Sequence, residues 1–253
     1  MGKSNKSNKA SKKRKIQFSY PRGNFPRLCL IGNSNVGKSS ITRLLLSHPK
    51  WYKGKVGKTA GSTVRLTIIN DPKLNYHVID LPGFGRMVRL DRKSEEKVQD
   101  QILNYIELDK SNIFLMLIVV SADRLGPELE KWYFKNQSTI PLTLELVQFM
   151  KERKIPSVLV LNKVDKMNSF RLQQTKEKLF TALNELNLMP KSPSEVFNED
   201  SEGLIDIIET SAKNQQGIKE LKQLIYNFSS QLDLSLYDPR NRLQDLHPIN
   251  QKK

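Results

Sequence analysis

Short, unbroken apolar runs alternate along this chain with stretches in which apolar residues recur at helical spacing, and that alternation predicts strands followed by helices. Residues 28–31, Leu-Cys-Leu-Ile, form the first run and end at Gly32; Ile41, Leu44 and Leu45 then share one helical face. Strands are predicted at 64–69 and 76–79, joined by a turn at 70–75 in which Asp71 and Pro72 are the punctuation. So tight a connection makes these two strands antiparallel. A helix over 94–108 puts Val98, Ile102, Tyr105 and Ile106 on one face and Glu95 and Glu96 in its first turn, where the helix dipole favours acids. The continuous run 113–120 predicts a strand buried on both faces.

Residues 127–141 read as irregular, with Trp132, Tyr133 and Phe134 as packing residues. A helix is predicted at 142–154, a strand at 157–161 and a helix at 171–188 with Leu179, Phe180, Leu183 and Leu186 inward. A polar excursion at 190–203 precedes a strand at 204–208, and the last helix, 217–232, packs through Ile218, Leu221, Leu224, Ile225 and Phe228. The pattern has no internal repeat. It predicts an α/β fold: a doubly wound, mostly parallel sheet with one antiparallel edge strand, binding its ligand at the carboxyl ends of the strands.

The first strand–helix junction carries the chemistry. Gly32-Asn33-Ser34-Asn35-Val36-Gly37-Lys38-Ser39-Ser40 contains the phosphate-binding spacing G-x4-G-K-S, and it stands between a predicted strand and a predicted helix. Its glycines let backbone N–H groups turn inward around a phosphate, and the helix start favours the anion. Lys38 can reach the β- and γ-phosphate oxygens, and the Ser39 hydroxyl can ligate Mg²⁺. The stretch is therefore read as the binding site of a nucleoside triphosphate.

Four more short motifs, each after the mobile loop or a predicted strand, decide which nucleotide. Residues 49–62 lack periodicity and read as a mobile loop that ends in Gly61-Ser62-Thr63; when it closes, Thr63 can offer Mg²⁺ a second hydroxyl. Asp80-Leu81-Pro82-Gly83 follows, with Asp80 able to hold Mg²⁺ through a water and the Gly83 N–H able to meet the γ-phosphate. Lys38, Thr63 and Gly83 are thereby the candidate catalytic groups, and Ser39, Thr63 and Asp80 the candidate metal ligands. Asn162-Lys163-Val164-Asp165 comes next: the Asp165 carboxylate can accept from guanine N1–H and the N2 amine, which adenine does not present. Asn162 can tie this motif to the phosphate loop, and the Lys163 stem can lie on the base. Last, Thr210-Ser211-Ala212-Lys213 can offer a backbone N–H, that of Ala212, to guanine O6. Each motif is weak alone, but the ordered set specifies GTP or GDP rather than ATP.

Composition adds the partners. The net charge of +16 is uneven: residues 1–70 hold 16 Lys or Arg and no acid, and from Asp71 onward 26 basic residues meet 26 acids. Residues 1–19, with Lys3, Lys6, Lys9, Lys12, Lys13, Arg14 and Lys15 among Ser and Asn, are expected to be a disordered basic arm, either a solubilising tail or a ligand of RNA phosphates. Residues 20–232 then form the nucleotide-binding domain, and 233–253 a poorly ordered tail. Cys29, the one cysteine, lies in the first apolar run and reads as a core residue in a reducing setting. No leader is visible and no apolar run is long enough to span a bilayer, so a cytoplasmic monomer is expected. His48, His77 and His247 fall in no motif.

The loop Gly32 to Ser40, together with Lys58-Thr59-Ala60-Gly61-Ser62-Thr63 and Asp80-Leu81-Pro82-Gly83-Phe84-Gly85, resembles the EngB (YihA/YsxC) family of P-loop GTPases over about residues 26–230. The stretch from Trp132 to Pro156 is similar to the archaeal-type branch. The chain departs at Ser62, where Arg or Lys is common, and at Ser211-Ala212, where bacterial members often have Ser-Ser. The resemblance implies GTP hydrolysis as a switch, a role in assembly of the large ribosomal subunit with ribosomal RNA or its precursor as partner, and an association with division septum formation. Phe84 stands where Ras-type enzymes place a water-orienting glutamine, so intrinsic turnover is expected to be slow. Relatives with a hydrophobic residue there include some that hold K⁺ near the phosphates with an Asn at the position of Asn35; the alternative is that Asn35 only shapes the loop. A competing reading is a non-catalytic, nucleotide-dependent scaffold in cell division.

Overall fold

The apolar runs become the inner strands of one sheet. In the computed structural model, which describes residues 21, 23–53, 66–85, 92–136, 140–191 and 203–237, six strands form: β1 (Arg27–Ile31), β2 (Thr67–Ile69), β3 (His77–Asp80), β4 (Ile113–Ser121), β5 (Ser157–Asn162) and β6 (Leu204–Thr210). Their order is β2-β3-β1-β4-β5-β6. Only β2 runs antiparallel, pairing Ile68 with Ile79 at the sheet edge, so the predicted sheet, including its one antiparallel edge, is the observed one.

Residue parity sorts the core into two layers, because successive strand side chains face opposite ways. Leu28, Leu30, Val78, Leu117, Val119 and Val160 pack beneath α1 (Lys38–Leu45) and the last helix, α6 (Ile218–Ser230). Cys29, Ile31, Ile79, Met116, Ile118 and Leu159 pack against the opposite layer. That layer consists of α2 (Arg92–Asp109), α3 (Ala122–Leu129), α4 (Leu142–Glu152) and α5 (Ser169–Glu185). Burial pushes the Cys29 thiol up to about 12, so it stays protonated and behaves as an apolar filler.

After β1 the chain passes through α1 to the β2–β3 side, then returns through α2 to β4 on the other side of β1. The strand order therefore reverses at β1, and the crevice at its carboxyl end is the switch point where such sheets bind ligands.

Two polar devices fix this arrangement. Arg27, at the start of β1, is 2% exposed, pairs with buried Asp109 at the end of α2, and donates to the Gly23 carbonyl at 2.7 Å. Asp71, fully buried in the β2–β3 turn, accepts from Ser47 N and Ser47 Oγ, both at 2.6 Å, and from Lys73 N at 3.1 Å. The second device ties the end of α1 to the edge hairpin.

The structure departs from the pattern in four places. Residues 122–134, partly expected to be irregular, form α3 and then a wide π turn at Glu130–Phe134; there Tyr133 packs edge-on against Phe134 and donates to Glu185 Oε2 at 2.7 Å. Helix α5 starts at Ser169, because Asn168 Oδ1 accepts from Arg171 N at 2.8 Å and caps the helix earlier than its apolar face begins. The first residues of the expected mobile loop, Pro49–Trp51, form a 3₁₀ turn capped by the His48 ring. Leu234–Tyr237, within the tail expected to lack order, form another. The basic arm, residues 58–63 and the end of the tail lie outside the described residues.

Candidate functional site

The phosphate loop leaves β1 at Gly32 and enters α1 at Lys38. Three of its residues hold positive φ, Gly32 at 151, Asn35 at 64 and Gly37 at 97. Gly37 is required on two grounds: its φ is hostile to a side chain, and a Cβ there would stand 2.2 Å from Asn162 Nδ2. Helix α1 opens with Ser40 N and Ile41 N donating to the Gly37 carbonyl at 3.0 and 2.9 Å, and its first turn carries no acid. The resulting helix start, open to the crevice, suits an anion. Asn33, Ser34 and Val36 also border a cleft shared with Ser121, Arg124 and Glu128.

Asp80 ends β3 beside this loop, and Leu81 N extends the pairing to the Leu30 carbonyl at 3.1 Å. Asp80 is fully buried. Its Oδ2 accepts from Ser39 Oγ at 2.9 Å and from Tyr52 Oη at 2.7 Å. Its Oδ1 lies 3.3 Å from Lys38 Nζ, near enough to pair as an ion though off hydrogen-bond geometry. Burial and the Asp80 charge push the Tyr52 hydroxyl well above the ordinary tyrosine value, so it remains a donor. The structure thus brings Lys38, Ser39 and Asp80 together, as the motifs require.

Pro82 is buried and Gly83 half-buried where the chain crosses the phosphate loop; a Cβ on Gly83 would lie 2.5 Å from Ser34 Oγ. Ser34 Oγ is buried without a hydrogen-bond partner. Phe84 N donates to the Gly32 carbonyl at 3.0 Å, and Gln99 Nε2 donates to the Phe84 carbonyl at 2.8 Å. The Phe84 ring is buried in one apolar cluster with Val98 and Ile102 of α2.

The base end is built on one carboxamide. Asn162 Nδ2 donates to the Val36 carbonyl at 2.7 Å, and Asn162 Oδ1 accepts from Ala212 N at 3.0 Å and Thr210 Oγ1 at 3.4 Å. The Ala212 N–H, which the sequence assigns to guanine O6, is therefore engaged by Asn162. Lys163, in left-handed backbone, donates from Nζ to the Asn35 carbonyl. Burial, followed by the nearby Lys166 charge, holds its ammonium below the ordinary lysine value. Exposed Asp165 accepts from Ser211 Oγ at 2.6 Å through Oδ1, and Lys213, two residues after Ser211, is exposed. Gly61, Ser62 and Thr63 lie outside the described residues. Tyr52 was missed: it belongs to no motif, and only the adjacent Trp51-Tyr52 pair in a Lys- and Gly-rich stretch marked the place.

A Mg²⁺ ion fits the donor set by chemistry: Ser39 and Asp80 present hard oxygens, and Asp80 Oδ1 has no hydrogen-bond donor. Among the described residues there is no cluster of three His, Cys, Asp or Glu that could hold a metal, whereas a nucleotide site takes most of its Mg²⁺ ligands from phosphates and water.

Comparison with known proteins agrees with this geometry. The 50S ribosome-binding GTPase family matches residues 27–163, more than half of the chain, and the elongation factor Tu GTP-binding domain matches residues 113–231. The probable GTP-binding protein EngB of Methanococcus maripaludis is 32% identical over 57% of this chain and 59% of its own length. That of Methanococcus aeolicus is 30% identical over 61% and 64%, so the chain spans less than two thirds of either methanococcal relative. The Pyrococcus horikoshii EngB is 30% identical over 74% of this chain and 83% of its own. A crystal structure of a probable EngB superposes with a TM-score of 0.62 at 27% identity, covering 81% of this chain and 99% of that one. The fold, the crevice motifs and these relatives, all archaeal where a source is known, lead to one assignment: the chain belongs to the EngB family of P-loop GTPases.

Proposed function

We propose that this protein binds GTP and GDP at the β1–α1 crevice and hydrolyses GTP as a switch acting on the large ribosomal subunit or its precursor. The observation that carries the nucleotide reading is the Asn162 side chain, which holds the phosphate loop and the loop after β6 in one frame. On that frame the Asp165 carboxylate is steadied by Ser211, and it would receive the base of a nucleotide whose phosphates lie in the phosphate loop.

Ser39 and Asp80 would hold Mg²⁺, with Thr63 as a further ligand. When bound, the ion neutralises charge on the β- and γ-oxygens. Lys38 would leave Asp80 to pair with the phosphates, the Gly83 N–H would meet the γ-phosphate, and Ser34 Oγ, buried and unpaired, would gain a partner there. Because Phe84 is buried under α2, charge stabilisation falls to other groups, and K⁺ at exposed Asn35 is one source. Faster hydrolysis in K⁺ than in Na⁺, lost in Asn35→Ala, tests it; equal rates would leave Asn35 a loop-shaping residue.

The ribosomal half of the reading is supported by the 50S ribosome-binding description of the matched family and by the acid-free first 70 residues. Among the described residues no helix is long and apolar enough to cross a membrane, and we read the protein as a cytoplasmic monomer. Sedimentation with large-subunit particles tests the partner: binding should depend on whether GDP or a non-hydrolysable GTP analogue is present. If all seven Lys and Arg within residues 1–15 met RNA phosphates, their deletion would flatten the salt slope of binding by roughly 5. Nucleotide-independent sedimentation with an unchanged slope would instead favour a scaffold acting elsewhere, such as at a division site.

A further inference from the structure

Tyr52 closes the 3₁₀ turn Pro49–Trp51, is 8% exposed, and packs its ring in the layer between the sheet and α1. Its hydroxyl reaches across 28 residues of sequence to Asp80 Oδ2, at 2.7 Å. The same oxygen accepts from Ser39 Oγ at 2.9 Å. A carboxylate oxygen has two lone-pair sites, so these two hydroxyls fill Oδ2. A fully buried carboxylate needs such partners even with the Lys38 ammonium 3.3 Å from its other oxygen.

The three donors around Asp80 differ in what they could do once a nucleotide and its metal are present. Lys38 has phosphate oxygens to move to, and Ser39 can keep its bond to Asp80 while its oxygen ligates a metal. Tyr52 has neither option. It stands on the carboxylate oxygen that Ser39 also contacts, so a metal held by Ser39 would approach Asp80 beside that oxygen.

We propose that Tyr52 is a positioning residue that caps Asp80 when the metal is absent and competes with Mg²⁺ for that carboxylate. Metal binding then releases the turn at residues 49–52, so the metal and that turn are coupled through one hydroxyl. The inference rests on the reading that Ser39 and Asp80 hold Mg²⁺.

The test measures release of a fluorescent GDP analogue from the full-length protein as free Mg²⁺ is varied. Tyr52→Phe keeps the ring and removes the hydroxyl. Its half-saturating Mg²⁺ concentration should fall by about tenfold or more, the size of one hydrogen bond to a charged group after exchange with water, while metal-free GDP affinity stays within about twofold. An unchanged half-saturation, or a higher one, would overturn the proposal, the latter because the hydroxyl would then be supporting the metal-loaded carboxylate. If release from the parent protein ignored Mg²⁺ altogether, the metal reading itself would fail, a result distinct from a variant that matches a responsive parent. A second measurement does not depend on the Phe variant folding. Trp51 and Trp132 are the two tryptophans; in Trp132→Phe, adding Mg²⁺ to the GDP complex should change the Trp51 emission as the turn is released, and constant emission would refute the coupling.

Discussion

Asn162 and Ala212, fifty residues apart, are joined by a 3.0 Å hydrogen bond from the Ala212 N–H to Asn162 Oδ1, while the amide nitrogen of the same side chain holds Val36 at 2.7 Å. One carboxamide thus spans the phosphate loop and the loop after β6. Asn162→Ala leaves the Val36 carbonyl and the Ala212 N–H without this partner, at about 1–3 kcal/mol for each buried group left unsatisfied. GDP affinity should fall by about tenfold or more, together with a lower thermal midpoint. Isothermal titration with GDP and a melting curve would check this; a variant with parental affinity would show that the two loops hold their places without Asn162.

The proposed function assigns base choice to Asp165. Its Oδ1 is taken by Ser211 Oγ, and an asparagine could keep that bond through its own carbonyl oxygen. What the substitution changes is the other end of the group, where an amine would face the N1–H and N2 donors of guanine. Asp165→Asn should weaken GDP by about tenfold or more, with xanthosine diphosphate, which carries a carbonyl at C2, weakened less. Competition between the two nucleotides measures it, and a parallel loss for both would remove Asp165 from base recognition.

Much of this was legible because it is local. The run 113–120 reads as β4 because nothing polar interrupts it, and the parity of Leu28 and Leu30 against Cys29 and Ile31 already divides the core. The phosphate loop, Asp80 and Asn162 were found because their spacing along the chain is fixed by the strands they end. Helix α3 was not found, because Gly126-Pro127 reads as a break. Pro127 forfeits one helical hydrogen bond, but Gly126 lets α5 come close: a Cβ there would stand 2.6 Å from Thr175 Oγ1. Tyr52 was invisible for a different reason. Its role is set by the approach of one loop to the end of β3, which no local pattern encodes.

The buried pair Arg27–Asp109 gives a stability prediction. Both side chains are nearly inaccessible, and Asp109 also accepts from Asn112 Nδ2 at 2.7 Å. Asp109→Ala leaves a buried guanidinium without its counter-charge, which costs about 3–5 kcal/mol, whereas removing both charges together is far milder. Urea denaturation of Asp109→Ala and of the double variant Arg27→Met, Asp109→Leu should show the double variant recovering most of the loss. Equal destabilisation of the two would mean that packing around the pair, rather than the stranded charge, sets the cost.

Asp71 makes stability depend on acid. Burial alone would raise its carboxyl, but the bonds from Ser47 Oγ, Ser47 N and Lys73 N outweigh that and hold it below the ordinary aspartate value of 3.8. As pH falls, the unfolded chain therefore takes up this proton before the folded one does. The stabilisation is complete above about pH 4, shrinks as the pH drops through the folded value, and is gone below it. Asp71→Asn cannot carry the charge, so it should lose about 1–3 kcal/mol at pH 7 and show a shallower fall in unfolding free energy from pH 4 downward than the parent. Urea midpoints taken at intervals from pH 7 to pH 2.5 would check the shape; curves that stay parallel through the acid range would assign the acid sensitivity to other carboxylates and leave Asp71 only its neutral-pH role of fastening α1 to the edge hairpin.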